Sequence, residues 1–459
     1  MTKYILAGHF GNSDAAAHVL VAKQGERLKL LNLLAGKKSL KFGIGSAVNQ
    51  LAKLNIYPSE VGLDLLVLAV MVHAADTRLN RIQTSQDAWT REIKLIIPVS
   101  DAELWSKSKT VLEKMLRFLT GDLWGVEFRP RPSGFQNLIS RKFNSPHIYS
   151  GISLFSGGLD SLIGAIDSLE SGDLPLFVSH AGEGAVSSPQ SNVFEKLSKA
   201  YSTKNIQRLR FPSARFPRNL FPNIGSENST RGRSFLFFAL GAFAGSGLKN
   251  KFDLRVPENG LIALNVPLDS TRLGSLSTRT THPYYIHRWN ELLGILNILG
   301  NTFNPYWNKT KGEMVAECKN QNFLKSIVHL SVSCAHPSAG RYQGGSMYHH
   351  CGHCVPCIIR RSAIRHAWQA NEETTQYGLT DIWSRPLNST KAEGIQIRAY
   401  QYAIANLNKN PNISSMLIHK PGPLLEDAEI LNDLADTYKR GMKEVEAFLD
   451  GVVTTPLNT

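Results

Sequence analysis

Over residues 92–98 apolar and polar side chains alternate, with Ile93, Leu95 and Ile97 on one side, and this predicts a strand. The period then lengthens. Behind Asp101, a residue type suited to capping a helix start, Leu104, Val111, Leu112, Met115 and Leu119 recur at helical spacing until Thr120-Gly121-Asp122 breaks the run. Trp124, Val126 and Phe128 alternate again, so residues 1–130 read as an α/β unit. Two prolines and a glycine in Arg129-Pro130-Arg131-Pro132-Ser133-Gly134 disfavour regular structure, and residues 131–147 read as a linker. A second unit, 148–330, opens with the short strand Ile152-Ser153-Leu154-Phe155. A glycine turn, a helix through Leu169 and a strand over 174–178 follow, which is a βαβ unit and implies a parallel sheet. Residues 234–247 are apolar all round, as in a buried helix, and 261–266 read as a further core strand. Residues 331–370 hold a cysteine cluster and the helix after it, and 371–459 read as helical. There 391–407 is amphipathic, a last helix carries Leu431, Leu434, Tyr438, Met442, Val445 and Leu449 on one face, and 452–459 fray.

The chain has 459 residues, 42% hydrophobic and 19% charged, which fits two or three globular domains and argues against extended disorder. Lys and Arg outnumber Asp and Glu by 51 to 37, a formal charge of +14. Such a surplus attracts ATP, acidic metabolites, nucleic acid or an acidic partner, and it also serves solubility. The first residues lack the apolar core of a signal peptide. The longest apolar stretches, 61–75 and 235–248, fall short of the ~20 residues a membrane span needs. A cytoplasmic location with no membrane partner is the expectation. Five cysteines there stay reduced, and a cluster of them points to metal.

Ser156-Gly157-Gly158-Leu159-Asp160-Ser161 stands between the first strand of the βαβ unit and its helix. The two glycines let backbone N–H groups approach a phosphate closely, and the helix start adds free donors and a positive dipole end. Ser156 and Ser161 can donate to phosphate oxygens. Asp160 does not favour a bare phosphate, so its expected partner is Mg²⁺ bridging a pyrophosphate. The lysine of a Walker loop is missing. A capped helix after a glycine turn is the plain structural alternative.

Cys351-Gly352-His353-Cys354-Val355-Pro356-Cys357 is a C-x₂-C-x₂-C run, with Cys334 earlier in the chain. Three thiolates on a tight knuckle and one from another segment suit a tetrahedral, closed, structural Zn²⁺ site of Cys334, Cys351, Cys354 and Cys357. An iron–sulfur cluster also accepts close cysteines, and His336, His349, His350 or His353 could replace one ligand. Cys318 is left over as a buried thiol.

The hexapeptide resembles the PP-loop of ATP-pyrophosphatases. That implies an adenine nucleotide alpha hydrolase-like parallel sheet with helices on both faces, on which a substrate oxygen attacks the α-phosphate of ATP and pyrophosphate leaves. The ordered set of this loop, Ser333-Cys334, and the run from Cys351 to Cys357 with Arg360 behind it is similar to the 7-cyano-7-deazaguanine synthase (QueC) family over residues 150–365. That similarity implies adenylation of 7-carboxy-7-deazaguanine with ATP and Mg²⁺, then attack by ammonia to give an amide and a nitrile. The chain is about twice as long as that family's compact members. It carries Ser179-His180-Ala181-Gly182-Glu183-Gly184 in place of a glutamine–arginine–histidine segment. The family's Asp-Cys-Arg segment is also absent; Glu258-Asn259-Gly260, Asn265-Val266-Pro267-Leu268 and Arg279-Thr280-Thr281-His282-Pro283 stand there instead. This altered pattern resembles the long QueC-like proteins of bacterial antiphage operons. It implies the same first half-reaction, with an amine of a partner protein replacing ammonia.

Several further residues suit roles in such a site. Arginines at a helix start oppose the dipole, so Arg233 calls for an anion nearby and joins Asp160 and Ser161 as a catalytic candidate. His180 ends a strand where parallel sheets bind ligands, and joins residues 156–161 as an ATP contact. Arg272 and Arg279 suit a carboxylate or phosphate, and Glu258 and Asn259 suit a guanine-like edge. His282 either orients an acceptor amine or caps the helix at Pro283. Two other functions compete with the ligase reading: an enzyme modifying tRNA or other nucleic acid, and an inactive scaffold that binds nucleotide and zinc.

Overall fold

The computed structural model describes residues 2–36, 39–139, 148–181, 184–212, 214–229, 231–248, 251–269, 279–337, 350–368, 372–424 and 427–456. Two parallel sheets organise the chain. The first holds β1 (Lys3–His9), β2 (Glu26–Asn32), β3 (Glu92–Val99) and β4 (Leu123–Pro130) in the order β2-β1-β3-β4. All three of its pairings are parallel, with Tyr4 opposite Arg27 on one side and Ile93 on the other. The second sheet holds β5 (Gly151–Leu154), β6 (Pro175–His180), β7 (Arg208–Phe211), β8 (Phe252–Arg255) and β9 (Gly300–Phe303), again all parallel. Its order, β7-β6-β5-β8-β9, places β5 at the centre. From there the chain builds outward through β6 and β7, then returns to the other side of β5 for β8 and β9. Ligands of open parallel sheets bind at such a reversal, in the crevice beyond the strand C-termini.

Helices cover both faces of the second sheet, as parallel strands buried on both sides require. On one face lie α5 (Arg233–Gly245) and α7 (Pro283–Ile295), backed by α1 (Glu60–Arg78) and α2 (Lys109–Thr120), which pack against strands of the first sheet. On the other lie α3 (Leu159–Glu170), α4 (Gly184–Ala200), α8 (Lys311–Ala316) and α9 (Val355–Ala367). The helix α1, started by the Ser59 side chain accepting from the Gly62 amide, is buried almost without a break from Gly62 to Asp76. It needs apolar partners all round because it lies between the two sheets. There it packs along α5, and one core runs from Leu6 and Leu95 through Val67 and Phe238 to Leu154. A separate core joins α9 to α10 (Ala392–Lys409) and α11 (Ala428–Leu449) through Ile358, Ile359, Tyr400 and Tyr438.

Four local expectations change. Residues 261–266 do not form a strand: Gly260–Leu264 is a short helix, α6, because the Asn259 side chain caps the Ile262 amide at 3.1 Å and Asn265 ends the turn at φ 51°. A short apolar run fits either state, and β8 already fills the sheet position. The helix behind Asp101 is two pieces, Ala102–Ser106 and α2, parted at Lys107 and Ser108. The linker arginines are anchored: Arg131 pairs with Glu60 and Asp64, and Arg129 with Asp14 at 2.6 Å. The chain end does not fray at 454–455, where β11 (Thr454–Thr455) pairs with β10 (Leu387–Asn388).

Candidate active site and cysteine knuckle

At the end of β5 the Phe155 amide bonds the Val178 carbonyl at 2.8 Å, so the loop leaves at the centre of the sheet. Gly157 sits at φ 82°, and a Cβ there would stand 2.8 Å from the Gln190 Cα; the tight turn admits only glycine. Serine hydroxyls hold the loop in shape. Gly157 N–H donates to Ser161 Oγ (3.1 Å), Gly158 N–H to Ser156 Oγ (3.3 Å) and Leu159 N–H to Ser333 Oγ (3.2 Å). The expected phosphate donors Ser156 and Ser161 thus also accept from the loop itself. Gln190 of α4 donates to the Ser156 carbonyl at 3.2 Å and fastens the loop from the side.

Asp160, in the first turn of α3, is 5% exposed and its carboxylate gathers other chain segments. Asn259 donates to its Oδ2 from the backbone (3.1 Å) and the side chain (2.7 Å), and Lys311 Nζ stands 2.8 Å from Oδ1. Burial alone would raise the pKa of Asp160. The Lys311 charge and hydrogen bonds from Glu258, Lys311 and Asn259 override burial and bring it down to about 2. Glu258 moves the opposite way, well above the ordinary carboxylate range, because of burial and the neighbouring Asp160 charge. The pair therefore favours a single negative charge, on Asp160. Asn304 fixes the strand exit, accepting from the Glu258 amide at 3.2 Å and donating to its carbonyl at 2.6 Å. Lys311 opens α8, where Thr310 and Glu313 form a reciprocal capping box.

These contacts bring Ser156, Gly157, Gly158, Leu159, Asp160, Ser161, Glu258 and Asn259 together at the C-terminal ends of β5 and β8. His180 stands beside them at the end of β6, its carbonyl 3.5 Å from Gln190 Nε2. Its ring meets His73 of α1 edge-on at 6.2 Å and stacks on Phe211 at 6.0 Å. Burial lowers the pKa of His180 to about 3 and of His73 to about 4, so both imidazoles are neutral. The Arg233 charge at the start of α5 pushes the same way. Arg279 and His282 are held elsewhere. Arg279 donates to the Phe118 carbonyl at 2.9 Å and lies 4.8 Å over its ring. His282 Nδ1 accepts from the Tyr284 amide at 3.2 Å, so it caps α7, and burial keeps the ring neutral by lowering its pKa to about 3. Arg272 lies outside the described residues.

Among the described residues the sequence reading passed over Lys311, Gln190, His73 and Asn304. The Thr310-x-x-Glu313 box marks a helix start and could have drawn attention to Lys311. For the other three no local signal exists.

The sulfur atoms of Cys334, Cys351, Cys354 and Cys357 all lie within 4.8 Å of one another. Cys334 and Cys354 are 3.8 Å apart, and Cys351 and Cys357 4.0 Å. Sulfurs at ~2.3 Å around a tetrahedral Zn²⁺ stand about 3.8 Å apart, so the four could hold such an ion. Backbone amides of His336, Cys351 and Cys354 donate to the sulfurs at 3.3–3.4 Å, which suits thiolates. Of the alternative ligands, His350 bonds the Ser331 carbonyl through Nε2 at 3.0 Å, His336 and His353 sit beside the cluster, and His349 lies outside the described residues. Cys318 is a separate buried thiol. The knuckle is tied to the glycine loop, with the Val332 amide on the Gly157 carbonyl at 3.0 Å. Behind it, fully buried Arg360 donates to Ser331 Oγ and the Val328 carbonyl, both at 2.8 Å. A cavity of about 400 Å³ lies between α6, the knuckle, α10 and α11, with Pro267, His336, His353, Gln396, Tyr400 and Met442 on its walls.

No described helix is long and apolar enough to cross a membrane. The chain is an α/β protein with parallel sheets flanked by helices and a four-cysteine cluster that could bind a metal such as zinc; no protein-family model matches it, and no curated protein or solved structure is found similar to it.

Proposed function

We propose that this protein is an ATP-dependent ligase that adenylates a carboxylic acid of the 7-deazaguanine type and passes the acyl group to an amine, carried by a partner protein, in antiviral defence. The observation that carries the reading is the convergence of Lys311 and Asn259 on Asp160, directly behind a glycine loop at the reversal point of a parallel sheet. In this reading the loop amides and the hydroxyls of Ser156 and Ser161 exchange their partners within the loop for the departing phosphates, and Lys311 supplies fixed positive charge where the pyrophosphate gains negative charge. Asp160 holds Lys311 and Asn259 in place. Both its oxygens have protein partners and an ammonium on one of them opposes a second cation, so no step is assigned to Mg²⁺ on Asp160.

The carboxylate of the acid attacks the α-phosphorus, the bond to the bridging oxygen of the β-phosphate breaks, and pyrophosphate leaves. The amine then attacks the acyl carbon, AMP departs and the amine proton is released to water. A carboxylate needs no general base for the first step, so positioning and charge stabilisation account for the catalysis. The 400 Å³ cavity is within the size of ordinary small-molecule sites and accommodates the ring of the acid. The four thiolates form a closed shell around zinc, with a structural part only.

ATP–pyrophosphate exchange tests the reading. Exchange stimulated by a carboxylated deazaguanine is expected. Exchange that requires RNA would favour nucleic-acid modification, and a failure to exchange with any acid would reduce the protein to a scaffold. Rapid nitrile formation from ammonia would remove the protein acceptor from the proposal.

A further inference from the structure

Away from the glycine loop, β2 runs along the edge of the first sheet and, among the described residues, pairs with β1 alone. Beside it lies a cleft of about 560 Å³, bordered by residues 29–32 of the strand, by Lys41 and Phe42, and by the segment from Arg215 to Leu220. Lys29, Lys41 and Arg215 line it, no carboxylate does, and none of the three has an ion-pair partner among the described residues. Arg218 adds charge nearby, enough to bear on Arg78.

The walls are set in place. Arg78 of α1 donates to the carbonyls of Pro217 (3.1 Å) and Phe216 (3.2 Å), which fixes the segment that carries Arg215. On the other side Phe42 adopts a left-handed backbone, φ 57°, and its ring meets Phe216 at 5.0 Å. A non-glycine residue held in that region marks a position the surrounding structure overrides.

We propose that this cleft docks an extended, acidic segment of a partner protein, which adds to the free edge of β2 as a strand while its carboxylates meet Lys29, Lys41 and Arg215. A strand edge offers backbone donors and acceptors, and Leu30 and Pro217 offer apolar contacts to side chains of the added strand. Single-stranded nucleic acid would need open aromatic faces for its bases. Phe216 is only 6% exposed and the half-buried Phe42 packs its ring against it, so the cleft offers no succession of open rings on which bases could stack. The proposal is independent of adenylation and holds or fails without it.

Fluorescence anisotropy with the full, zinc-loaded chain tests it, using a short labelled peptide of alternating valine and glutamate. The expected result is salt-sensitive binding that weakens on the order of tenfold or more in the Lys29→Glu/Arg215→Glu variant. It also weakens when a central valine of the probe is replaced by proline, which removes a backbone donor. Both substituted residues are at the surface or half-buried, so unchanged zinc content and an unchanged melting temperature check that the variant folds. The proposal is overturned if the peptide fails to bind, if the variant or the proline probe binds as well as the parent, or if labelled oligouridylate binds more tightly through the same residues.

Discussion

Replacing Lys311 with Met removes one half of a buried ion pair while keeping the length of the side chain. Lys311 and Asp160 are 5% and 7% exposed at their side chains and 2.8 Å apart. Breaking such a pair from one side typically costs ~3–5 kcal/mol, because the remaining charge is left in a poor medium. The Asp160 carboxyl stands at about 2 against an ordinary 3.8, so the folded state favours the charged form by roughly 2–3 kcal/mol more than the unfolded chain does, and removing Lys311, the largest influence lowering it, forfeits that preference. Asn259 keeps its two bonds to Oδ2 in either case. The expected loss is therefore about 3 kcal/mol at neutral pH, read as a lower urea midpoint with an unchanged slope. The folded pKa lies below the unfolded one, so this contribution is complete above 3.8 and fades as pH falls through about 2. The gap between parent and variant should narrow over that interval. Combining Lys311→Met with Asp160→Asn removes both charges, and the double variant should be more stable than the sum of the single losses allows. Exchange activity should be absent from both. A loss below ~1 kcal/mol for Lys311→Met, or strict additivity in the double variant, would refute the claim that these side chains form one buried pair.

Other positions give independent checks. Gly157→Ala places a Cβ 2.8 Å from the Gln190 Cα at φ 82° and should cost ~1–3 kcal/mol and abolish ATP–pyrophosphate exchange, with zinc retained. Cys354→Ala, or a strong chelator on the parent protein, should release one metal ion per chain, measured by elemental analysis, and lower the melting temperature, because binding at a structural site is coupled to folding. Glu258→Gln mimics the protonated acid. A carboxyl whose folded pKa is raised stabilises fully below its unfolded value and loses that contribution as pH rises through the folded one. The variant should therefore show a flatter urea midpoint from mildly acidic to alkaline pH than the parent does.

The glycine loop and the cysteine run were legible because each is a short segment whose residue types constrain one another directly. The strand at 92–98 and the last amphipathic helix were legible from period, and the buried helix at 234–247 from its continuous apolar run. Residues 261–266 were not: a short apolar run carries no clear period, and the capping bond from Asn259 decided for helix. Arg131 read as linker because proline neighbours suggest irregular backbone, while its anchoring to Asp64 and Glu60 depends on a distant helix. His282 left two roles open. Its bond to the Tyr284 amide assigns it to the helix cap.

By itself, the sequence determined where the backbone makes a tight glycine turn into a helix, which thiols stand close enough to share an ion, and which segments are amphipathic, since those properties arise from neighbours along the chain. Only the tertiary structure decided that Lys311 meets Asp160, that His73 of the first unit reaches His180, and that Lys29, Lys41 and Arg215, without ion-pair partners among the described residues, border one strand edge. Those relations join residues dozens to hundreds of positions apart. Burial of the shared core sets them, and no local pattern of side chains encodes which distant segment will arrive.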